Sequence, residues 1–241
     1  MAQHRPLVVA HRGASAAARE NTLEAFRLAG DLGADWVELD VRHSADGALV
    51  LHHDAELPDG RRVPEVVAAD LPDHVPTLAE ALAVCWAADL GVNVEIKALP
   101  GEPGHEGVRQ LTDDVVALVL GGRAGAGADA DGVLVTSFDP RTIDRVHDAT
   151  DGAVATGLLV FDASDRDALV ARAAEHGHGA INPWDAVTDQ PLVDAAHAAG
   201  LAVNVWTVDD PDRLAQLVAM GVDGLITNVP DVARRVVDAT G

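Results

Sequence analysis

Residues 7–41 read LVVAHRGASAAARENTLEAFRLAGDLGADWVELDV, and this stretch decides the fold. A short apolar run, Leu7–Ala10, leads into a helical pattern around Leu23–Ala29, then Gly30 and Gly33 where a helix would stop, then a second run, Trp36–Val41. Two strands joined by a crossover helix run parallel. A doubly wound open sheet would place a glycine-rich phosphate loop after the first strand, but His11-Arg12-Gly13-Ala14-Ser15 carries one glycine. The same alternation continues along the chain. Further strands are expected at Val92–Ile96, Val133–Thr136, Ala153–Leu159, Gly179–Ile181, Leu201–Trp206 and Gly224–Ile226. Helices are expected around Thr77–Ala87, Glu106–Leu120, Pro140–Ala149, Asp165–Glu175, Gln190–Ala199, Pro211–Met220 and Asp231–Val237. Gly91, Gly200 and Gly221 read as helix stops, and Asp139 and Asp209 as N-caps. Eight strand-helix units in 241 residues have the size and rhythm of a (β/α)8 TIM barrel.

One interval is irregular. After Asp46-Gly47 a further apolar run, Leu49–His53, predicts a hairpin on the second barrel strand, and residues 54–76 read as a short exposed insertion loop. Residues 1–241 are expected to form a single domain, and Gly121–Gly132 reads as a Gly/Ala-rich loop.

Composition narrows the function. With 17 Lys+Arg against 39 Asp+Glu the net charge is −22, which repels nucleic acid and anionic membrane surfaces. Neither nucleic-acid binding nor stable membrane association is expected. The single cysteine, Cys85, excludes an intrachain disulfide and a thiolate metal site, which fits a cytoplasmic protein. Near Met1 the apolar run is too short for a signal peptide, so the mature chain is expected to begin there. Among the 17 basic residues Lys97 is the only lysine, which suggests a site that wants a compact ammonium.

Strand alternation puts Glu38 and Asp40 on one face and Glu95 and Lys97 on one face, at strand ends that a barrel turns toward its C-terminal mouth. His11-Arg12 closes the first strand, His53-Asp54 closes the hairpin, and Phe138 and Trp206 lie near the ends of the fourth and seventh barrel strands. Three clustered carboxylates repel one another unless a cation neutralises them. A divalent metal at Glu38, Asp40 and Glu95 is the economical answer. All-oxygen ligation favours Mg²⁺ or Ca²⁺, while His11 and His53 leave Mn²⁺ or Zn²⁺ open in principle. With Arg12 and Lys97 nearby, the cationic spot suits a phosphoryl group, and His11 and His53 suit general acid and base work.

The ordered set His11-Arg12-Gly13, Glu20-Asn21-Thr22, Glu38-Leu39-Asp40-Val41, Asp46-Gly47, His53-Asp54, Glu95-Ile96-Lys97, Val205-Trp206-Thr207-Val208 and Gly221-Val222-Asp223-Gly224 resembles the glycerophosphodiester phosphodiesterases over nearly the whole chain. The resemblance implies a barrel enzyme that hydrolyses glycerophosphodiesters, such as glycerophosphocholine or glycerophosphoethanolamine, to glycerol 3-phosphate and an alcohol. It implies metal ligands at Glu38, Asp40 and Glu95, acid/base histidines at His11 and His53, and phosphate contacts from Arg12 and Lys97. It further implies a polar rim at Glu20, with Asn21 and Asp54 in support, and Trp206 on the glycerol side. Arg19 and Asn228 depart from the family pattern, where proline and aspartate are usual, and both read as peripheral. The segment after His53-Asp54 lacks the usual Arg-Thr-Thr stretch and is short, which bears on substrate preference rather than on the hydrolytic centre.

Competing readings are a phosphodiesterase acting on lysophospholipids or another phosphodiester, an isomerase or aldolase barrel, and a non-catalytic phosphate-binding barrel. Phe138 reads as core or as substrate wall, and Trp36, Trp86 and Trp184 as ordinary core or surface aromatics. His52 is turned away from His53 by alternation. His4, His74, His105, His147, His176, His178 and His197 are assigned no role.

Overall fold

The computed structural model describes residues 5–97, 99, 101–126 and 132–240. The elements in chain order are β1 (Leu7–His11), α1 (Leu23–Asp31), β2 (Trp36–His43), β3 (Leu49–Leu51), α2 (Leu78–Ala87), β4 (Gly91–Ile96), α3 (Val108–Ala126), β5 (Val133–Ser137), α4 (Pro140–Thr150), β6 (Ala155–Val160), α5 (Arg166–Glu175), β7 (Ala180–Pro183), α6 (Gln190–Ala198), β8 (Ala202–Val205), α7 (Pro211–Met220), β9 (Gly224–Thr227) and α8 (Pro230–Thr240). Strands neighbour one another in the order β1-β9-β8-β7-β6-β5-β4-β2, and β1 also pairs with β2, so the sheet closes on itself. Eight parallel strands ringed by helices form the (β/α)8 barrel, with β3 antiparallel beside β2 as the hairpin reading expects.

Period-2 alternation gives each strand two different faces. Outward-facing Val37, Leu39 and Val41 of β2 and Val92, Val94 and Ile96 of β4 pack with Phe26 and Ala29 of α1, and with Leu78, Ala81, Leu82 and Cys85 of α2. Val203, Val205 and Leu225 pack in the same way against α6, α7 and α8 through Leu192, Val193, Leu214, Leu217 and Val237. Apolar burial therefore lies between sheet and helices. The inward face is polar on one side: Glu38, Asp40, Arg42, Asn93 and Glu95 are all buried there.

Helix starts are capped by side chains. Thr77 and Glu80 form a capping box at α2, and Asp139, Asp165, Asp189 and Asp210 accept backbone N–H groups at α4, α5, α6 and α7. Asp210 therefore holds the cap expected of Asp209, since Pro211 opens α7 at the first helical position. Asp209 faces the mouth instead. Gly30 lies inside α1; the helix ends against Leu32, and Gly33 at φ +83° makes the left-handed turn. Gly91 opens β4 because Trp36 covers it, and a Cβ there would meet the indole at 2.2 Å. α3 continues through Ala126, so the first part of the expected Gly121–Gly132 loop is helical, as cooperative propagation allows. Residues 127–131 of that loop, and His4, lie outside the described residues.

The 54–76 insertion is better packed than an exposed loop. Leu57, Val63, Val66 and Leu71 bury themselves with Val50 of β3, and two short 3₁₀ turns, Val63–Glu65 and Ala68–Asp70, shape the backbone. Asp210→Ala is expected to lower the unfolding free energy by about 1 kcal/mol through loss of the α7 cap, measured by urea denaturation. No change within error would contradict the cap assignment.

Candidate active site

Strand register builds the site. In the parallel ladders His11 of β1 stands beside Glu38 of β2, and Asp40 of β2 stands beside Glu95 of β4. Alternation turns Glu38, Asp40 and Glu95 inward together, and one carboxylate oxygen from each lies within 4.8 Å of the others. All three are buried.

Two cations answer this charge. Lys97 Nζ sits 2.9 Å from Asp40 Oδ1 and 2.6 Å from Glu95 Oε1. Arg12 Nε lies 3.2 Å from Asp40 Oδ2, and its Nη1 reaches both carboxylate oxygens of Glu20. Burial works against ionised Asp40, but Lys97 and Arg12 outweigh it and hold that carboxyl well below the usual range. Burial also works against the Lys97 ammonium, and Asp40 with Glu95 more than compensates, so Lys97 stays protonated. Glu38 is the residue left over. Burial, then Asp40 and Glu95, push its carboxyl well above the ordinary value, and burial likewise raises Glu95. Glu38 Oε2 accepts the Arg12 backbone N–H at 3.0 Å, whereas its buried Oε1 has no hydrogen-bond partner among the described residues.

That orphaned oxygen is the local sign that a cation fits. Oxygens up to 4.8 Å apart can share one ion at about 2.0–2.6 Å each. The donors are hard carboxylates, so the cluster is compatible with a divalent metal.

The loop after β1 is shaped to deliver these contacts. Arg12 and Asn21 adopt left-handed backbone at φ 58° and 53°, and the Asn21 N–H donates to the Arg12 carbonyl. Asn21 Nδ2 donates to Asp40 Oδ2 at 2.7 Å, and Asn21 Oδ1 accepts the Asp40 N–H at 3.2 Å. Gly13, at φ +82°, lies where a Cβ would come within 2.7 Å of the Ala25 backbone. Only glycine lets α1 approach so closely.

Both histidines are oriented from behind. Asp209 accepts from Thr227 Oγ1 and from the Asn228 N–H and Nδ2 groups, which turns Asn228 Oδ1 toward His11 Nδ1 at 2.8 Å. An amide oxygen only accepts, so the His11 proton is on Nδ1 and the Nε2 lone pair faces the cluster, 4.0 Å from Glu38 Oε2. Burial, then Arg12, lowers the His11 pKa, with the Asn228 bond pulling the other way. His53 Nδ1 pairs with Asp54 Oδ1 at 2.7 Å, and burial lowers its pKa against the pull of Asp40. The His53 carbonyl accepts from Arg42 Nε and Nη2 at 3.0 and 2.6 Å, which ties the hairpin end to β2.

Opposite the charges stands an aromatic wall. Phe138 stacks on Phe161 at 4.4 Å between ring centroids, and both meet the Trp206 indole edge-on at 5.5 and 5.1 Å. Trp206 Nε1 donates to the Asn182 carbonyl at 2.7 Å. A cavity of about 730 Å³ runs from Glu20, Asn21 and His53 under the insertion to Leu57 and Pro72.

Every residue proposed from the sequence as catalytic, metal-binding, phosphate-binding or supporting thus lies at this mouth. Sequence reasoning missed Phe161, Arg42 and Asp209. It read Asn228 as peripheral, whereas the Asn228 amide holds the His11 ring. The unusual residue after Thr227 was the available signal.

A family model described as "Glycerophosphoryl diester phosphodiesterase family" matches residues 11–232. The chain is 28% identical over 261 residues to a glycerophosphodiester phosphodiesterase of Caldanaerobacter subterraneus subsp. tengcongensis, covering 93% of this chain and 95% of the other. It is 32% identical over 254 residues to a Mycobacterium tuberculosis protein named "Probable glycerophosphodiester phosphodiesterase 1", covering 93% and 90%. Among solved structures it is similar to an Oleispira antarctica phosphodiesterase in complex with the product sn-glycerol-3-phosphate, at TM-score 0.83 and 26% identity, covering 97% of each chain.

Removing the acceptor behind His11 tests the orientation. In metal-free protein, Asn228→Ala is expected to lower the His11 pKa further and to release the ring from its Nδ1–H tautomer, both read by imidazole NMR. An unchanged titration and tautomer would contradict it.

Proposed function

The chain belongs to the glycerophosphoryl diester phosphodiesterase family, and from that premise we propose that it hydrolyses small glycerophosphodiesters, such as glycerophosphocholine and glycerophosphoethanolamine, to glycerol 3-phosphate and an alcohol. The observation that carries this reading is the buried triad with its orphaned Glu38 oxygen, flanked by two oriented histidines and two cations.

Glu38, Asp40 and Glu95 would hold one divalent ion, Mg²⁺ or Ca²⁺ by donor hardness. When bound it supplies positive charge to a non-bridging phosphate oxygen. Arg12 and Lys97 are already fixed beside Asp40, so they meet the phosphate without reorganising and stabilise the charge that develops on it. His11 and His53 divide the proton work. One takes the proton of the attacking hydroxyl or water, and the other delivers a proton to the departing alkoxide oxygen. A lowered pKa suits whichever histidine acts as the base, which must be neutral to take a proton, while the acid partner must carry its extra proton when the alkoxide leaves. Phe138, Phe161 and Trp206 offer an apolar face to the carbon skeleton of the substrate.

The relative solved with sn-glycerol-3-phosphate supports the product side of this reading. A net charge of −22 suits small diesters better than an anionic lipid surface, and no helix among the described residues is long and apolar enough to cross a membrane. A cytoplasmic setting accords with the single buried Cys85, whose thiol is pushed up to about 12 by burial.

After EDTA treatment, hydrolysis of glycerophosphocholine is expected to vanish and to return with Mg²⁺ or Ca²⁺ added singly, glycerol 3-phosphate being read by a coupled assay. His11→Ala and His53→Ala should each lower kcat by roughly 10²–10⁴-fold. Full activity in either variant, or in the stripped enzyme, would contradict the assignment.

A further inference from the structure

Three side chains with no part in the mouth meet on the helical layer, toward the opposite end of the barrel. Asp144 projects from α4, His176 caps the C-terminus of α5, and His178 lies just before β7. One donor atom from each lies within 4.8 Å of the others. Asp144 Oδ1 is the common point, 2.9 Å from His176 Nδ1 and 3.1 Å from His178 Nε2.

Local backbone brings the two imidazoles together. Gly177, at φ +75°, reverses the chain between them, and the rings stack at 6.1 Å with 20° between their planes. A Cβ at Gly177 would strike the His147 ring at 2.7 Å, so the glycine is required twice over. Two of the three donors, His178 and Asp144, are also braced from behind, as metal ligands are. Thr156 Oγ1 of β6 lies 2.8 Å from His178 Nδ1, which leaves Nε2 for the cluster when Nδ1 carries the proton. Arg172 Nη2 donates to Asp144 Oδ2 at 2.8 Å, which leaves Oδ1 for it. The His178 side chain is 1% exposed and that of His176 is 41% exposed, so the cluster is anchored inside and open to solvent on one side.

We propose that Asp144, His176 and His178 form a second metal site, separate from the catalytic mouth, which takes one nitrogen-preferring transition-metal dication such as Zn²⁺. Two imidazoles and one carboxylate oxygen are a common three-residue Zn²⁺ set, with water in the fourth position on the open side. The mouth is its chemical opposite, three hard carboxylates and no nitrogen in the set, so the two sites separate ions by softness. Zinc here would tie α4 to the α5–β7 junction and raise the melting temperature by mass action.

The test uses full-length Glu38→Gln protein, in which the mouth has lost a ligand, stripped with EDTA and kept in excess Mg²⁺. Calorimetric titration with Zn²⁺ is expected to show one saturable site, and the His176 and His178 ring signals in NMR are expected to shift with Zn²⁺ and not with Mg²⁺. Adding His176→Ala, an exposed change that spares the fold, should weaken this binding by at least about tenfold. Thr156→Val, which removes only the brace, should weaken it by about tenfold or more. No saturable zinc in Glu38→Gln protein, unchanged affinity in the His176→Ala double variant, or unmoved His176 and His178 signals would overturn the site. Asp144 would then be only the shared hydrogen-bond acceptor of two histidines.

Discussion

Mutual repulsion among three buried carboxylates governs the construction around the barrel mouth. Glu38, Asp40 and Glu95 are brought to one level by the register of β1, β2 and β4, and none of them can escape to solvent. Isolated buried charge of this density is costly, so the surrounding structure compensates. Lys97 sits between Asp40 and Glu95, Arg12 closes on Asp40, and Asn21 gives Asp40 both a donor and an acceptor. The left-handed turns at Arg12, Gly13 and Asn21 exist to place these groups. What remains is Glu38 Oε1, buried and without a hydrogen-bond partner among the described residues.

The barrel tolerates such a centre because its two faces have separate tasks. Outward valines, leucines and isoleucines supply the apolar burial against the helices, leaving the inward face free to be polar. Helix caps built largely from aspartate add to the acidic charge while favouring the N-terminal dipole ends. The hairpin and its packed insertion then carry His53 over the mouth, with Arg42 pinning the His53 carbonyl from β2.

Features of period two were legible in the sequence. Glu38 with Asp40, and Glu95 with Lys97, share faces by parity alone, and glycines and apolar runs marked the alternation of strands and helices. Local punctuation was less secure. Asp209 and Asp210 both have a capping side chain; Pro211 at the first helical position gives the cap to Asp210, and only the closed barrel shows that Asp209 instead accepts from Asn228. Gly91 looked like a helix stop, but it answers to Trp36 in the adjacent strand. Long-range partners were illegible: Phe161 joins Phe138 and Trp206 from a third strand end, and His176 and His178 acquire meaning only through Asp144, 34 residues before His178.

In the proposed mechanism the triad holds a cation which receives the substrate phosphate. This is tested most directly by measuring the affinity of the purified protein for sn-glycerol 3-phosphate with and without Mg²⁺ or Ca²⁺. Because binding linkage is reciprocal, the ion should tighten product binding, the product should tighten ion binding by the same factor, and Glu38→Gln should abolish both effects. Equal affinity for the product in stripped and metal-loaded protein would contradict the account.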